Sequence, residues 1–386
     1  MSHMPDRLQQ IRNQFPILQT QTYLISHSLG AMPRKAIDYW QRFSRLWQEK
    51  GIAAWQEEWW ALPVTVGNKI ARIIGAPEGS VTMHQNVTLA EAVVLSCFNF
   101  RGPRRKIVFS SMNFPSVMYL YHAQRELGAE IVEVPAEPDG IRVSLEKLLD
   151  AIDERTLLVP ISHVLFKSSY VQNVPAIVEK AERVGAWVVA DIYQSAGVMP
   201  VNVAQWGVHF AVGGSVKWLC GGPGAGFLYV RPDLQESLRP KLTGWMAHEN
   251  PFAFEPGAIR YADNAFRWLN GTPHVPALYS AQAGYDFILD VGIETIRDAN
   301  LKLSEFIIEQ AKARGWPVRC PENPEERGGT VILDLPRGEH VVERLMQRNI
   351  QVDYRSGAGI RIGPHVYNTQ EDCEVLIAEI ETILNA

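Results

Sequence analysis

Short apolar runs alternate with helix-periodic stretches through the middle of this chain, and no other feature constrains its fold as tightly. Residues 106–109, 131–134, 157–161 and 186–190 are apolar, mostly valine- and isoleucine-rich runs of strand length. Between them, 117–127 (after the turn at Phe114-Pro115), 145–152 and 174–184 carry helical periodicity. Parallel strands need a crossover between them and cover on both faces, so the alternation predicts a mostly parallel sheet wrapped by helices. The pattern changes after Gly271-Thr272-Pro273. Amphipathic helices cover 277–313, followed by short strands at 330–333 and 359–362 and a final helix. The expected organisation is an N-terminal segment, 1–50, that joins the small domain, then a large α/β domain over 51–270 and a smaller α+β domain over 271–386. A length of 386 residues is ample for both.

The run 186–190 ends in an acid, Asp191, and the next run, 208–212, leads through Gly213, Gly214 and Ser215 to Lys217. Carboxyl ends of strands are where open α/β sheets bind ligands. An amine on a glycine-lined loop, one strand after a buried acid, is the pair that pyridoxal 5′-phosphate (PLP) requires. The lysine forms a Schiff base, and the acid keeps the pyridine nitrogen protonated so that the ring draws electrons. Composition excludes other classes. A net charge of −5 gives no footing for nucleic acid, and no apolar stretch reaches membrane-span length. Cys97, Cys220, Cys320 and Cys373 are scattered without a Cys-x-x-Cys pair, so neither a metal site nor a disulfide framework is expected. The N-terminus has no apolar signal region, and a cytoplasmic location is expected. Eleven tryptophans, several clustered at Trp40, Trp47, Trp55, Trp59 and Trp60, fit buried helix faces or an aromatic pocket.

Further positions have their own physical reading. Val87 and Thr88 begin a helix after Asn86 and offer backbone N–H groups and a hydroxyl to a phosphate. Taken alone, Thr88 is equally an N-cap or helix-turn threonine. Phe114 stacks on a ring or fills a core. Ser162 follows a buried strand and could bond a ring hydroxyl. Ser215 and Gln194 are polar groups near the pair, and Trp245 carries an N–H donor. Arg361, in a strand beside Gly359, is either a bidentate clamp for a carboxylate or a surface salt-bridge partner.

Ordered along the chain, these residues resemble the fold type I PLP enzymes, aminotransferase class V, and within them kynureninase. The resemblance is carried by 23–31 (Tyr-Leu-Ile-Ser-His-Ser-Leu-Gly-Ala, with Ser28), Asn86-Val87-Thr88, Phe114-Pro115-Ser116, Gly221-Gly222-Pro223-Gly224, Gly244-Trp245-Met246-Ala247-His248, 251–255, Gly271-Thr272-Pro273 and Gly359-Ile360-Arg361. It implies a homodimer with a shared active site, Thr272 reaching across from the neighbouring subunit. It also implies Lys217 and Asp191 as the catalytic pair, and Arg361, with Ser28 and Gly271, at an amino-acid substrate. The implied reaction is hydrolytic Cβ–Cγ cleavage. Transamination, β-elimination, racemisation or a non-catalytic PLP-binding relative are the alternatives. A desulfurase is disfavoured because 355–361 holds no cysteine. Three positions depart from the kynureninase pattern. Val117 stands for an aspartate, Gln194 for a histidine, and Val216 for a tyrosine that reaches the phosphate and takes part in proton transfer.

Overall fold

In the computed structural model, which describes residues 3–386, the alternating runs assemble into one seven-stranded sheet. Its spatial order is Val81–His84, Gly226–Val230, Phe210–Gly214, Trp187–Asp191, Thr156–Ser162, Lys106–Ser110 and Glu130–Val134. Only Gly226–Val230 runs against the others, pairing antiparallel on both sides. The central strands have no exposed face. Val188, Val189, Ala190, Phe210, Ala211 and Val212 are all fully buried, which is why they read as continuous apolar runs.

Local chemistry sets the element boundaries. Asn173 accepts from Ala176 N at the start of helix Val174–Val184, and Gly185, at φ +70°, ends it before the Asp191 strand. Asn202 caps the short helix Val203–Trp206, and Gly207, at φ +68°, terminates it. The following strand therefore begins at Phe210, two residues later than its apolar pattern predicts, and takes in Gly213 and Gly214. Helix Pro115–Ala123 is likewise shorter than its periodicity, closing in a 3₁₀ turn over Gln124–Leu127.

Two apolar cores result. Both faces of the large sheet are packed, and helix Val275–Val291 shares that core, lying against Ala36–Lys50 and Leu62–Ile73. A second core gathers Leu24 with residues from Leu303 onward, around the antiparallel strands Val331–Leu333, Asp353–Arg355 and Gly359–Ile362. The N-terminal strand Thr22–Tyr23 pairs parallel with Ile350–Gln351, tying the start of the chain to this second core. Among the described residues no helix is long and apolar enough to cross a membrane.

Candidate active site

Asp191 and Val212 are register partners on adjacent parallel strands, so their carboxyl ends open at the same level of the sheet. The loop after Gly214 brings Lys217 back toward Asp191, and two bonds fix it. Gly30 N donates to Val216 O (2.8 Å), and Cys220 N donates to Lys217 O (2.9 Å). Any side chain at Gly30 would collide with the Lys217 carbonyl, so the close approach of the N-terminal segment needs glycine there.

A cavity of about 210 Å³ opens at this point, lined by Val87, Thr88, Phe114, Ser162, Asp191, Gln194 and Lys217 among others. It is smaller than the ~300–1,000 Å³ of drug-sized ligand sites, which suits one substituted ring rather than a dinucleotide. A larger cavity of about 570 Å³ lies on the other side of the Lys217 loop, between Leu29, Trp40 and Pro223, but it contains no buried acid–amine pair. The acid–amine pair lies in the smaller one.

Lys217 makes no hydrogen bond or salt bridge to any described residue. Its Nζ stands 4.3 Å from the centre of the Tyr193 ring and 5.4 Å from that of Phe114. Burial pulls the amine down to about 8 from its usual 10.5, and the Asp191 charge offsets only part of that. Asp191 accepts one backbone bond, from Tyr193 N to Oδ1 at 2.9 Å, and its Oδ2 finds no donor. Burial pushes its carboxyl up. A desolvated carboxylate with one oxygen open to the cavity favours the arrival of a cationic donor. The protonated nitrogen of a pyridine ring would be such a donor, and Lys217, which lines the same cavity, would hold the ring's aldehyde as a Schiff base. Thr88 and Ser162 hydroxyls, both unpartnered, and the free N–H groups at the start of helix Val87–Leu95 complete a set that fits PLP. Asn86 caps that helix by accepting from Leu89 N (3.0 Å).

Other expected residues lie differently. Ser215 Oγ donates to Ala225 O (2.6 Å), also meets Tyr285 Oη, and does not line the cavity. Gln194 lines it, yet its amide is engaged at both ends, donating to His27 O (3.2 Å) and accepting from Trp218 Nε1 (3.1 Å). Trp245 lies away from the cavity in an exposed aromatic cluster, 5.0 Å from Trp60 and stacked on Phe254. Gly271 and Thr272 are exposed on a loop outside it.

Arg361 lies beside the cavity, donating from Nη1 to the carbonyl of the lining residue Phe166 (3.0 Å). Its fork is already held. Nε and Nη2 donate to the two Asp353 oxygens (2.8 and 2.7 Å), and Nη2 also donates to Ser28 Oγ (3.0 Å). Of the guanidinium's five N–H bonds, one on Nη1 is left. Ser28 Oγ and His27 Nε2 also bond Asp353, and Arg355 pairs with it (3.1 Å). Burial alone would raise the Asp353 carboxyl, but His27 and Arg361 outweigh it and hold it well below the carboxylate range.

Sequence reasoning missed Tyr193, Asp353 and Glu91. The first two carry a faint signal: Tyr193 sits in the turn two residues past Asp191, and Asp353 is the register partner of Arg361 on the next strand. Glu91, an acid inside an apolar helix, is fully buried with neither oxygen bonded. Burial and nearby Asp191 push it up, so it stays protonated. Among the described residues, no group of three or more His, Cys, Asp or Glu is placed to hold a metal.

A profile of the aminotransferase class-V family matches residues 22–376. An uncharacterized aminotransferase of Bacillus subtilis, YcbU, is 31% identical over 382 residues, spanning 98% of each chain. Kynureninase of Pseudomonas fluorescens is 30% identical over 377 residues, spanning 93% of this chain and 88% of its own. Among solved structures, a C-DES mutant with glycine covalently linked to its PLP cofactor superimposes with a TM-score of 0.86 at 21% identity, covering 96% of this chain and 98% of that one.

Proposed function

Because the chain belongs to the aminotransferase class-V family of PLP-dependent enzymes acting on amino acids, we propose that it carries out kynureninase-type cleavage, hydrolysing a Cβ–Cγ bond to give alanine and an aryl acid. The supporting observation is the cavity itself. An unpaired Lys217 amine and an unpaired Asp191 oxygen share it with two aromatic walls, Phe114 and Phe166, whose rings meet edge-on at 5.2 Å. Kynureninase similarity over most of the chain points the same way.

Bound there, PLP supplies an electron sink for charge that develops at the substrate Cα. Lys217, whose amine burial pulls below its ordinary value, would take the Cα proton as general base. Asp191 Oδ2 holds the ring nitrogen in its protonated form. Arg361 receives the substrate α-carboxylate, which orients the Cα–H bond toward the lysine. A second contact from Arg361 requires Ser28 or Phe166 to be released.

A second reading, transamination, is favoured by Val216 in place of the proton-transfer tyrosine and by the similarity to YcbU. Incubating the PLP-loaded protein with L-kynurenine decides between them. Alanine and the aryl acid are expected. Accumulation of a 2-oxo acid with the cofactor left in its amine form would instead establish transamination.

The homodimer belongs to the same proposal. Leu29, Met32, Ile37, Trp40 and Trp47 form an exposed apolar band bordering the Lys217 loop, with Trp47 61% accessible. Such a surface is what a permanent interface would cover. Light scattering should give twice the chain mass at micromolar concentration. A monomer that binds PLP tightly would refute the shared site.

A further inference from the structure

Resting on the PLP reading above, we propose that Tyr193 donates a hydrogen bond to the phosphate of the cofactor, a contact that Val216 leaves unfilled. Beside Thr88, which is free at the helix start, three of the donors offered by the sequence are committed or placed elsewhere. Ser215 Oγ is bonded to Ala225 O and Tyr285 Oη, Gln194 is engaged at both ends, and Trp245 lies outside the cavity. Val216 has no polar side-chain atom.

Tyr193 is different in each respect. It lines the cavity together with Asn86, Val87 and Thr88 at the helix start, where an anion is favoured. Its ring face stands 4.3 Å from Lys217 Nζ. Its backbone N–H is bonded to Asp191 Oδ1, which fixes the turn that presents the ring. Its phenol oxygen makes no hydrogen bond to any described residue and is not sealed from the cavity.

Gly214 shows that this placement is built. A Cβ there would lie 2.5 Å from both Cζ and Oη of Tyr193. The phenol tip therefore occupies the space that a side chain on the lysine's own strand would fill. Tyr193 and Gly214 form a matched pair, and the hydroxyl that the lysine strand lacks arrives from the neighbouring strand's turn. Burial first, and then the Asp191 charge, push the phenol well above its usual value. A phenol that keeps its proton has an O–H to donate. A phosphate monoester accepts such a bond, and charge-assisted bonds of this kind are the strong ones.

Tyr193→Phe keeps the ring, the turn and Lys217, and removes one hydroxyl that has no protein partner, so the fold is unchanged. Wild type and variant are stripped of cofactor and titrated with PLP and, separately, with pyridoxal, which lacks the phosphate. The absorbance of the lysine-linked chromophore reports binding. The PLP dissociation constant is expected to rise about ten- to a hundredfold in Tyr193→Phe, with that of pyridoxal unchanged. Equal weakening of both ligands, or no weakening for PLP, overturns the assignment. Failure of the wild type to form the chromophore with PLP would overturn the cofactor reading, and Tyr193's role with it.

Discussion

Asp353 accepts from His27, Ser28 and Arg361 and pairs with Arg355, whereas Asp191 accepts one backbone N–H and leaves an oxygen bare. Both acids are buried, and both lie close enough to Lys217 to influence its charge. The difference separates structure from receptacle. Around Asp353 the protein satisfies its own charges, so the cluster is held together without a ligand. Around Asp191 it does not, and on the reading proposed above the missing partner is the cofactor's ring nitrogen. A bound cation at the free Asp191 oxygen would relieve the deficit.

The largest expected effect falls on the receptacle. Lys217→Ala should abolish covalent PLP attachment and cut turnover by at least the ~10²–10⁴-fold that positioned proton transfer supplies, while the apoprotein stays folded. Borohydride reduction of loaded wild type, followed by peptide mapping, should place the label on Lys217. A label on another lysine would overturn the assignment.

Next comes the self-satisfied side. Asp353→Ala strands the Arg361 guanidinium in a buried position, and breaking a buried pair from one side costs about 3–5 kcal/mol. Asp191→Asn, which removes a charge already disfavoured by burial, should leave apoprotein stability nearly unchanged while losing tight PLP binding. Denaturant unfolding of the two apoproteins measures the contrast. Equal loss in both would erase the distinction drawn between the two acids.

A smaller effect concerns the departures at the cavity wall. Kynurenine turnover by the wild type should be slow, and Val216→Tyr combined with Val117→Asp should raise it by roughly the 1.5–3 kcal/mol of a bond to a charged group. Steady-state kinetics decide this. Fast hydrolysis by the unmodified protein would show that Val117 and Val216 are no handicap.

The smallest effect is in pH, and it probes the two regions from opposite sides. Lys217 has its folded pKa depressed to about 8 from 10.5, so the unfolded chain holds more protons between those values, and apoprotein stability rises with pH across that window. Relative to Lys217→Ala, the stability of wild type should climb with pH there. His27, beside Asp353, is lowered to about 4, first by burial and then by Arg361. Its folded form excludes a proton that the unfolded chain binds, so acidification from 6.5 toward 4 removes stability. Unfolding titrations at both ends of the pH range test this, and flat profiles would contradict the burial of both groups.

Much of this was legible in the residues. The apolar runs at 157–161 and 186–190 read as buried parallel strands from their short length and their alternation with helical stretches. Asp191 and Lys217 stood out because each follows one of two successive apolar runs, the lysine on a glycine-lined loop, although a strand ending in Asp is common and most lysines are surface charges. Strand ends were not legible where glycine was involved. The Phe210–Gly214 strand shifted because Gly207 stops a helix, and Gly213 and Gly214 sit where the Phe227 and Tyr193 rings leave no room for a Cβ.

By itself the sequence determined the layer architecture and put Asp191 and Lys217 forward as a pair, because these follow from local periodicity and from the chemistry of single side chains, whereas the spatial order of the strands came from the structure. Only the tertiary structure decided which polar groups remain free. Ser215, Gln194 and Arg361 bring the right atoms, yet their bonds go to Ala225, His27, Trp218 and Asp353, partners up to 167 residues away in the chain. Tyr193 brings an atom that nothing in the protein claims. A hydrogen-bonding capacity is a property of a residue, but whether it is already spent depends on what the fold sets against it.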